Sequence, residues 1–143
     1  MPVLKRAAAV YMLLLAVGVA GHFLATQFYD PMLEGTGRDA WLIFDPLMVA
    51  GAVMALVVAF DRKRRLDAGG GDRSLSREYL EANGTLYFTA ALFLALLWNW
   101  FGTQFVEPSN DMGLVWILID ITLPLLLAAT GIRLLREASA QSG

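Results

Sequence analysis

The chain has 143 residues, of which 57% are hydrophobic and 17% charged, and its formal net charge is −2. A soluble domain of this size carries about a quarter charged residues, so the composition favours a protein that lies in lipid. Because the chain contains no cysteine, disulfides, thiolate metal ligands and a cysteine nucleophile are excluded.

Four apolar runs follow one another along the chain, at residues 7–28, 41–60, 86–106 and 113–132. Each has about the 20 residues that a helix needs to cross a bilayer while satisfying its own backbone hydrogen bonds. Lys5 and Arg6 precede the first run, as basic residues do in a secretory signal peptide. We expect this run to be retained, because it corresponds to the third run in the duplication described below. The sequence thus predicts an all-α integral membrane protein with four transmembrane helices.

The distribution of basic residues predicts the orientation of these spans. Arg38 alone lies in the connection between the first two spans, and the connection between the last two has none. The remaining basic residues all flank the other side: Lys5, Arg6, Arg62, Lys63, Arg64, Arg65, Arg73, Arg77, Arg133 and Arg136. By the positive-inside rule, both termini and the connection 61–83 are cytoplasmic. We expect the protein in a bacterial cytoplasmic membrane.

The chain also contains an internal repeat. The pattern T-Q-F-x-[DE]-P, followed by W-x-x-x-D, begins at Thr26 and again at Thr103, with a shorter loop in the second copy. The corresponding pairs are Thr26 and Thr103, Gln27 and Gln104, Trp41 and Trp116, and Asp45 and Asp120. Each copy holds two spans, so an axis along the membrane normal would relate the copies. The predicted fold is therefore two tandem parallel-repeat hairpins, 1–60 and 84–143, joined by a basic cytoplasmic linker, 61–83.

Polar residues cluster near the non-cytoplasmic ends of the predicted spans. His22 and Thr26 are four residues apart and share a helix face, and Asn99 and Thr103 are their duplicates. The two aspartates lie about one turn inside the second and fourth spans, roughly level with the threonines. The sequence predicts a pseudo-twofold polar layer, or ion site, formed by Asp45, Asp120, Thr26, Thr103, Gln27, Gln104, His22 and Asn99.

Both aspartates lie within about one helical turn of a proline. Asp45 precedes Pro46, which we interpret as a helix N-cap followed by proline at the first helical position. Asp120 lies four residues before Pro124, which removes the hydrogen bond that its carbonyl would accept. Transporters hold ions beside such breaks. We nevertheless favour a structural interpretation, in which each aspartate reaches headgroup water, is stabilised by the positive end of the helix dipole and is satisfied by threonine or glutamine of the neighbouring span. A proton or cation site is the alternative.

The remaining ligand hypotheses centre on His22, the only histidine. A transition-metal site would need His22 with Asp45 and Asp120, a ligand set poor in nitrogen and without sulfur. As a single axial ligand, His22 could instead bind a haem or the magnesium of a pigment. We favour a hydrogen-bonded interhelical histidine, since its duplicate is Asn99. The sequence identifies no cofactor and no metal.

Two further groups of residues concern lipid and helix contacts. A basic run where the second span ends consists of Arg62, Lys63, Arg64 and Arg65. It can contact anionic lipid headgroups, worth about 1 kcal/mol per charge, although we favour a role as a topology signal. A stripe of small residues consists of Gly51, Ala55 and Ala59, whose spacing favours close packing of another helix. Internal packing explains the stripe, and a homo-oligomer is left open.

The tryptophans fall into two groups, at the starts of spans and deeper within a span. Trp41 and Trp116 begin the second and fourth spans, as in an interfacial belt. Trp98 and Trp100 lie deeper and point to nearly opposite helix faces, so one of them can meet lipid, a cofactor ring or another protein. We favour core packing for both.

No signature of a catalytic site occurs in the sequence, neither G-x-S-x-G nor H-E-x-x-H nor a phosphate-binding loop. We therefore expect a non-enzymatic accessory or scaffolding subunit of a larger membrane complex. One alternative is a small proton- or cation-conducting channel or carrier that uses Asp45 and Asp120. Another is a cofactor- or pigment-binding subunit with His22 as axial ligand. The expected partners are membrane lipid and other integral membrane subunits or a second copy of the chain, and not nucleic acid.

Overall fold

The computed structural model of the chain describes residues 2–28, 36–69, 76–105 and 110–141. Within these ranges the chain forms long helices connected in sequence: α1 Pro2–Ala25, α2 Thr36–Ala68, α3 Arg77–Phe105 and α4 Asn110–Ala140. Each is long and apolar enough to cross a membrane, with a mean hydropathy of 1.4 to 2.3 over its most apolar stretch. The predicted all-α architecture with four membrane-span-like helices is thereby confirmed.

The helices form a ring in the order α1, α2, α3, α4. The closest packing is between α1 and α4 and between α2 and α3, whereas α1 and α2 pack least closely of the neighbouring helices. α2 and α4 also touch across the bundle. Each helix therefore packs best against a helix of the other predicted hairpin. We call the end where α1 and α3 begin the basic end, and the opposite end, near Asp45 and Asp120, the acidic end.

Glycine allows these close approaches. A Cβ atom added to Gly131 of α4 would lie 3.0 Å from the carbonyl oxygen of Ala9 in α1. A Cβ atom added to Gly51 of α2 would lie 2.8 Å from the Leu15 side chain. Ala55 and Ala59 are also buried, so the predicted small-residue stripe lies inside the bundle. Small residues let helices approach where lipid provides no hydrophobic driving force between them.

The predicted N-cap at Asp45 is wrong. α2 begins at Thr36, so Asp45 and Pro46 lie inside the helix rather than at its start. Polar residues before the apolar run extend the helix, and proline removes only the bond from its own nitrogen to the fourth residue before it. The freed carbonyl belongs to Leu42 in α2. In α4, Pro124 is likewise inside the helix and frees the carbonyl of Asp120.

The predicted linker 61–83 is helical at both of its ends. α2 continues to Ala68, and α3 begins at Arg77. Ser76 caps α3, because its hydroxyl oxygen accepts a hydrogen bond of 3.2 Å from the backbone nitrogen of Tyr79. The two helices are joined here by an ion pair between Arg62 and Glu81, 3.8 Å apart. The basic residues of this region therefore belong largely to extensions of the membrane-span-like helices.

Candidate functional site

A cavity of about 400 Å³ lies between the four helices at the acidic end. All four helix ends contribute to it, so it lies near the middle of the bundle in cross-section. We call it the acidic cavity, and its lining consists of Phe23, Thr26, Gln27, Trp41, Asp45, Thr103, Trp116, Ile117 and Asp120. Aromatic and aliphatic groups surround a small number of convergent oxygen atoms, a composition typical of ligand sites.

Most of the residues predicted for the polar layer meet in this cavity. Asp45, Asp120, Thr26 and Thr103 line it, as does Gln27. The side chain of Gln104 lies outside the described residues. The remaining two predicted members, His22 and Asn99, are not among its lining residues.

His22 lies beside the cavity, among aromatic rings. Its ring centroid is 4.8 Å from that of Trp41, in an edge-on arrangement, and 5.4 Å from that of Phe44. Asn99 is almost fully buried, as a polar interhelical side chain would be. Within the described ranges no three His, Cys, Asp or Glu side chains come together as a metal site. The hypothetical transition-metal set of His22, Asp45 and Asp120 is therefore not assembled, because the histidine packs against rings instead.

The two carboxyl groups are the most unusual feature of the cavity. Asp45 is 8% exposed and Asp120 only 7%, although each is ionisable. The Oδ1 atom of Asp120 is buried and has no hydrogen-bond partner among the described residues. An unsatisfied buried oxygen costs about 1–3 kcal/mol, and more when it carries charge. Two carboxylates sharing one poorly solvated site also repel each other. A cation or a shared proton would relieve both costs.

The threonines do not satisfy these carboxylates. The Thr26 hydroxyl donates to the carbonyl oxygen of Phe23 over 2.6 Å, and the Thr103 hydroxyl donates to that of Trp100 over 2.8 Å. Each hydroxyl proton is donated to the carbonyl three residues before it. Towards the cavity, each hydroxyl can therefore act only as an acceptor, through its oxygen lone pairs. The structural interpretation therefore loses its two threonine donors, whereas its glutamine, headgroup-water and helix-dipole contributions stay predictions. Carboxylate, hydroxyl and amide oxygens together are the ligand type of hard cations.

An apolar layer separates the cavity from the basic end. Met48 lies one turn beyond Asp45 in α2, and Leu123 one turn beyond Asp120 in α4. Both are fully buried, as is Ile119 beside them. Ions do not cross such a layer unless the helices move, because a charge among apolar side chains loses its hydration.

The sequence did not identify every cavity residue. Trp41 and Trp116 line the cavity, whereas their place at the starts of two spans predicts an interfacial belt. Their corresponding positions in the recurring W-x-x-x-D pattern, four residues before each aspartate, were the available indication of a shared site. Phe23 and Ile117 carry no such indication, since they resemble any other apolar residue of a span.

Comparisons of the chain with models of known protein families, with curated proteins and with solved structures find no significant match.

Proposed function

We propose that the chain is a small membrane carrier of protons or of a small inorganic cation, bound in the acidic cavity between Asp45 and Asp120. The observation that carries this proposal is the buried Oδ1 atom of Asp120, which has no hydrogen-bond partner among the described residues while a second carboxyl group lines the same cavity. Folded proteins rarely leave a buried oxygen atom without a hydrogen-bond partner. Intramembrane carboxyl groups commonly mark ion and proton paths.

The apolar layer favours a carrier over an open channel. A channel needs a continuous polar path, whereas Met48 and Leu123 are fully buried between the acidic cavity and the basic end. Release on that side then requires the helices to shift. The loosest neighbouring interface, between α1 and α2, and the prolines inside α2 and α4 are where we expect such a shift. A proline lacks one helix hydrogen bond, so bending there costs less.

Flux in liposomes tests the proposed function. The purified chain is reconstituted into liposomes, a membrane potential is imposed with potassium and valinomycin, and a trapped dye reports internal pH. A second set of liposomes carries a sodium gradient and a sodium dye. We expect the chain to raise the rate of one of these fluxes clearly above that of empty liposomes. Rates equal to those of empty liposomes for both ions, and for gradients of potassium, magnesium and calcium in turn, would contradict transport.

A second candidate is an accessory subunit of a larger membrane complex, on the basis of an aromatic face of α3. Trp98 is 77% exposed and Phe105 83%, and Phe101 lies between them on the same face. Core packing was predicted for Trp98 and is wrong. Trp100 is half-buried and stacks on Phe101. Exposed aromatic side chains suit contact with another membrane helix as well as with lipid. The liposome assay separates the two functions, because an accessory subunit alone would transport nothing.

We also propose that the two hairpins are an internal repeat, related by a twofold axis along the membrane normal. Several features support it. The two tight helix pairs are those that such an axis would exchange. Thr26 and Thr103 make the same hydrogen bond to the third residue before them. Among the described residues an interhelix ion pair links each tight pair at the basic end, Lys5 with Glu137 and Arg62 with Glu81.

We further propose that the basic end is cytoplasmic in a bacterial inner membrane, so that the acidic cavity faces outwards. The chain has no cysteine, so a single introduced cysteine is the only thiol that a reagent can label. In intact cells, an impermeant thiol reagent should label Thr36→Cys and should leave Gly70→Cys unlabelled until the membrane is opened. Labelling of Gly70→Cys from outside would reverse the orientation.

A further inference from the structure

A second cavity lies between α1 and α2 at the basic end, where these helices pack loosely. Its volume is about 690 Å³. Leu4 and Met12 of α1 line it together with Val53, Val57 and Phe60 of α2. Several of these side chains are largely exposed, including Val57 at 61%. We call this space the α1–α2 groove, and its apolar wall requires an apolar occupant in a membrane.

The groove has a basic mouth. Lys5, Arg64 and Arg65 line it together with one acidic residue, Asp61. Arg65 forms an ion pair of 2.7 Å with Asp61, and Lys5 lies 3.4 Å from Glu137. Arg64 makes no ion pair with any described residue, so no neighbouring carboxylate already balances its positive charge. The mouth therefore carries a net positive charge that an anionic group would complement.

The other half of the basic run is directed elsewhere. Arg62 pairs with Glu81 of α3 at 3.8 Å, and Lys63 pairs with Asp67 one turn along α2 at 2.6 Å. Neither lines the groove. The run that the sequence treats as one lipid-contacting unit is thus divided by the helix period, and only Arg64 and Arg65 turn towards the groove.

The dimensions of the groove match one lipid leaflet. From Val53 to Arg64 the helix rises about 16 Å at 1.5 Å per residue. Half of a hydrocarbon core of about 30 Å is nearly the same length. A transmembrane helix of a partner would extend through both leaflets, and a free phosphate would leave the apolar wall uncovered. We propose that one anionic phospholipid occupies the groove, with its phosphate at Arg64 and Lys5 and one acyl chain along Val53 and Val57.

Native mass spectrometry tests this lipid site. The intact chain is titrated in detergent with phosphatidylglycerol or with phosphatidylcholine, and the bound lipids are counted. We expect one phosphatidylglycerol per chain to bind more tightly than phosphatidylcholine. Arg64→Gln should weaken binding of phosphatidylglycerol about fivefold, the equivalent of about 1 kcal/mol for one charge. The matched control, Lys63→Gln, removes the same charge from the same run outside the groove and should change binding less than twofold.

The apolar part of the site has its own test. Val57→Trp fills the groove and keeps every charge, so it should abolish the single tight binding event. Leu94→Trp places the same side chain on an exposed position of α3 and should leave the event intact. Equal weakening by Arg64→Gln and Lys63→Gln would overturn the proposal, as would binding unchanged by Val57→Trp. Displacement of the lipid by equimolar glycerol phosphate would also overturn it, because the site would then recognise a phosphate rather than a lipid.

Discussion

The double substitution Asp45→Asn, Asp120→Asn is expected to reduce proton or cation flux in liposomes to the level of empty liposomes. An amide has nearly the shape of a carboxyl group, but it neither takes up a proton at neutral pH nor neutralises a cation. The loss should therefore be complete rather than partial. The bundle should stay folded, with unfolding free energy changed by no more than about 1–2 kcal/mol, the range of polar contacts between membrane helices.

The matched control removes two carboxylates that are remote from the acidic cavity. Asp67→Asn together with Glu78→Gln changes the net charge equally, and both residues are exposed near the basic end. We expect this variant to retain the flux of the unmodified chain. Equal loss in both double variants would show a general effect of charge rather than a site. Full flux in the Asp45→Asn, Asp120→Asn protein would remove the aspartates from the mechanism.

A second large effect is expected from Asp120→Leu, which should stabilise the isolated protein. The substitution replaces a buried carboxyl group, whose Oδ1 atom lacks a partner among the described residues, by an apolar side chain of similar size. Removing an unsatisfied buried oxygen should raise the free energy of unfolding by about 1–3 kcal/mol. Thermal unfolding in detergent without added metal ions measures the change. The same variant should lose its flux, because leucine can bind neither a proton nor a cation. A gain in stability with a loss of activity is typical of substitutions at functional sites.

Asp67→Leu is the control for this stability measurement. Asp67 is exposed, and within the described part of the chain it pairs with Lys63 alone, so the substitution should shift the unfolding free energy by about 0.5–1 kcal/mol at most. If Asp120→Leu instead destabilised the protein by more than about 1 kcal/mol, Asp120 would have to make hydrogen bonds that hold the fold. The structural interpretation of the polar layer would then be supported.

The spans and much of the acidic cavity could be predicted because they depend on local patterns. An apolar run of about 20 residues determines a membrane helix. The fixed rise of a helix then places Asp45 and Asp120 level with Thr26 and Thr103. The recurring sequence pattern strengthens this prediction, since corresponding residues of its two copies are expected at similar depths. No information about helix partners was needed to predict that these side chains would meet.

Features that depend on tertiary packing could not be predicted in this way. Nothing local indicates that α1 packs best on α4, which depends on Gly131 meeting the backbone of Ala9. The acceptors of the threonine hydroxyls could not be predicted either. Near the end of a helix a hydroxyl reaches its own carbonyls more easily than a neighbour's carboxylate, and both threonines do so. Similarly, the outward position of Trp98 follows from the rotation of α3 against its neighbours.

Asp45 and Asp120 are proposed to form one cation-binding site, and thermal unfolding of the purified protein across a series of cations tests this most directly. A ligand that binds only the folded state stabilises it, by about 1.4 kcal/mol at ten times its dissociation constant. Sodium, potassium, magnesium, calcium and acidification are each compared with choline at constant ionic strength. One of them should raise the unfolding temperature of the unmodified protein by several degrees, and should not raise that of the Asp45→Asn, Asp120→Asn variant. The same response in both proteins to every cation and to pH would contradict the claim.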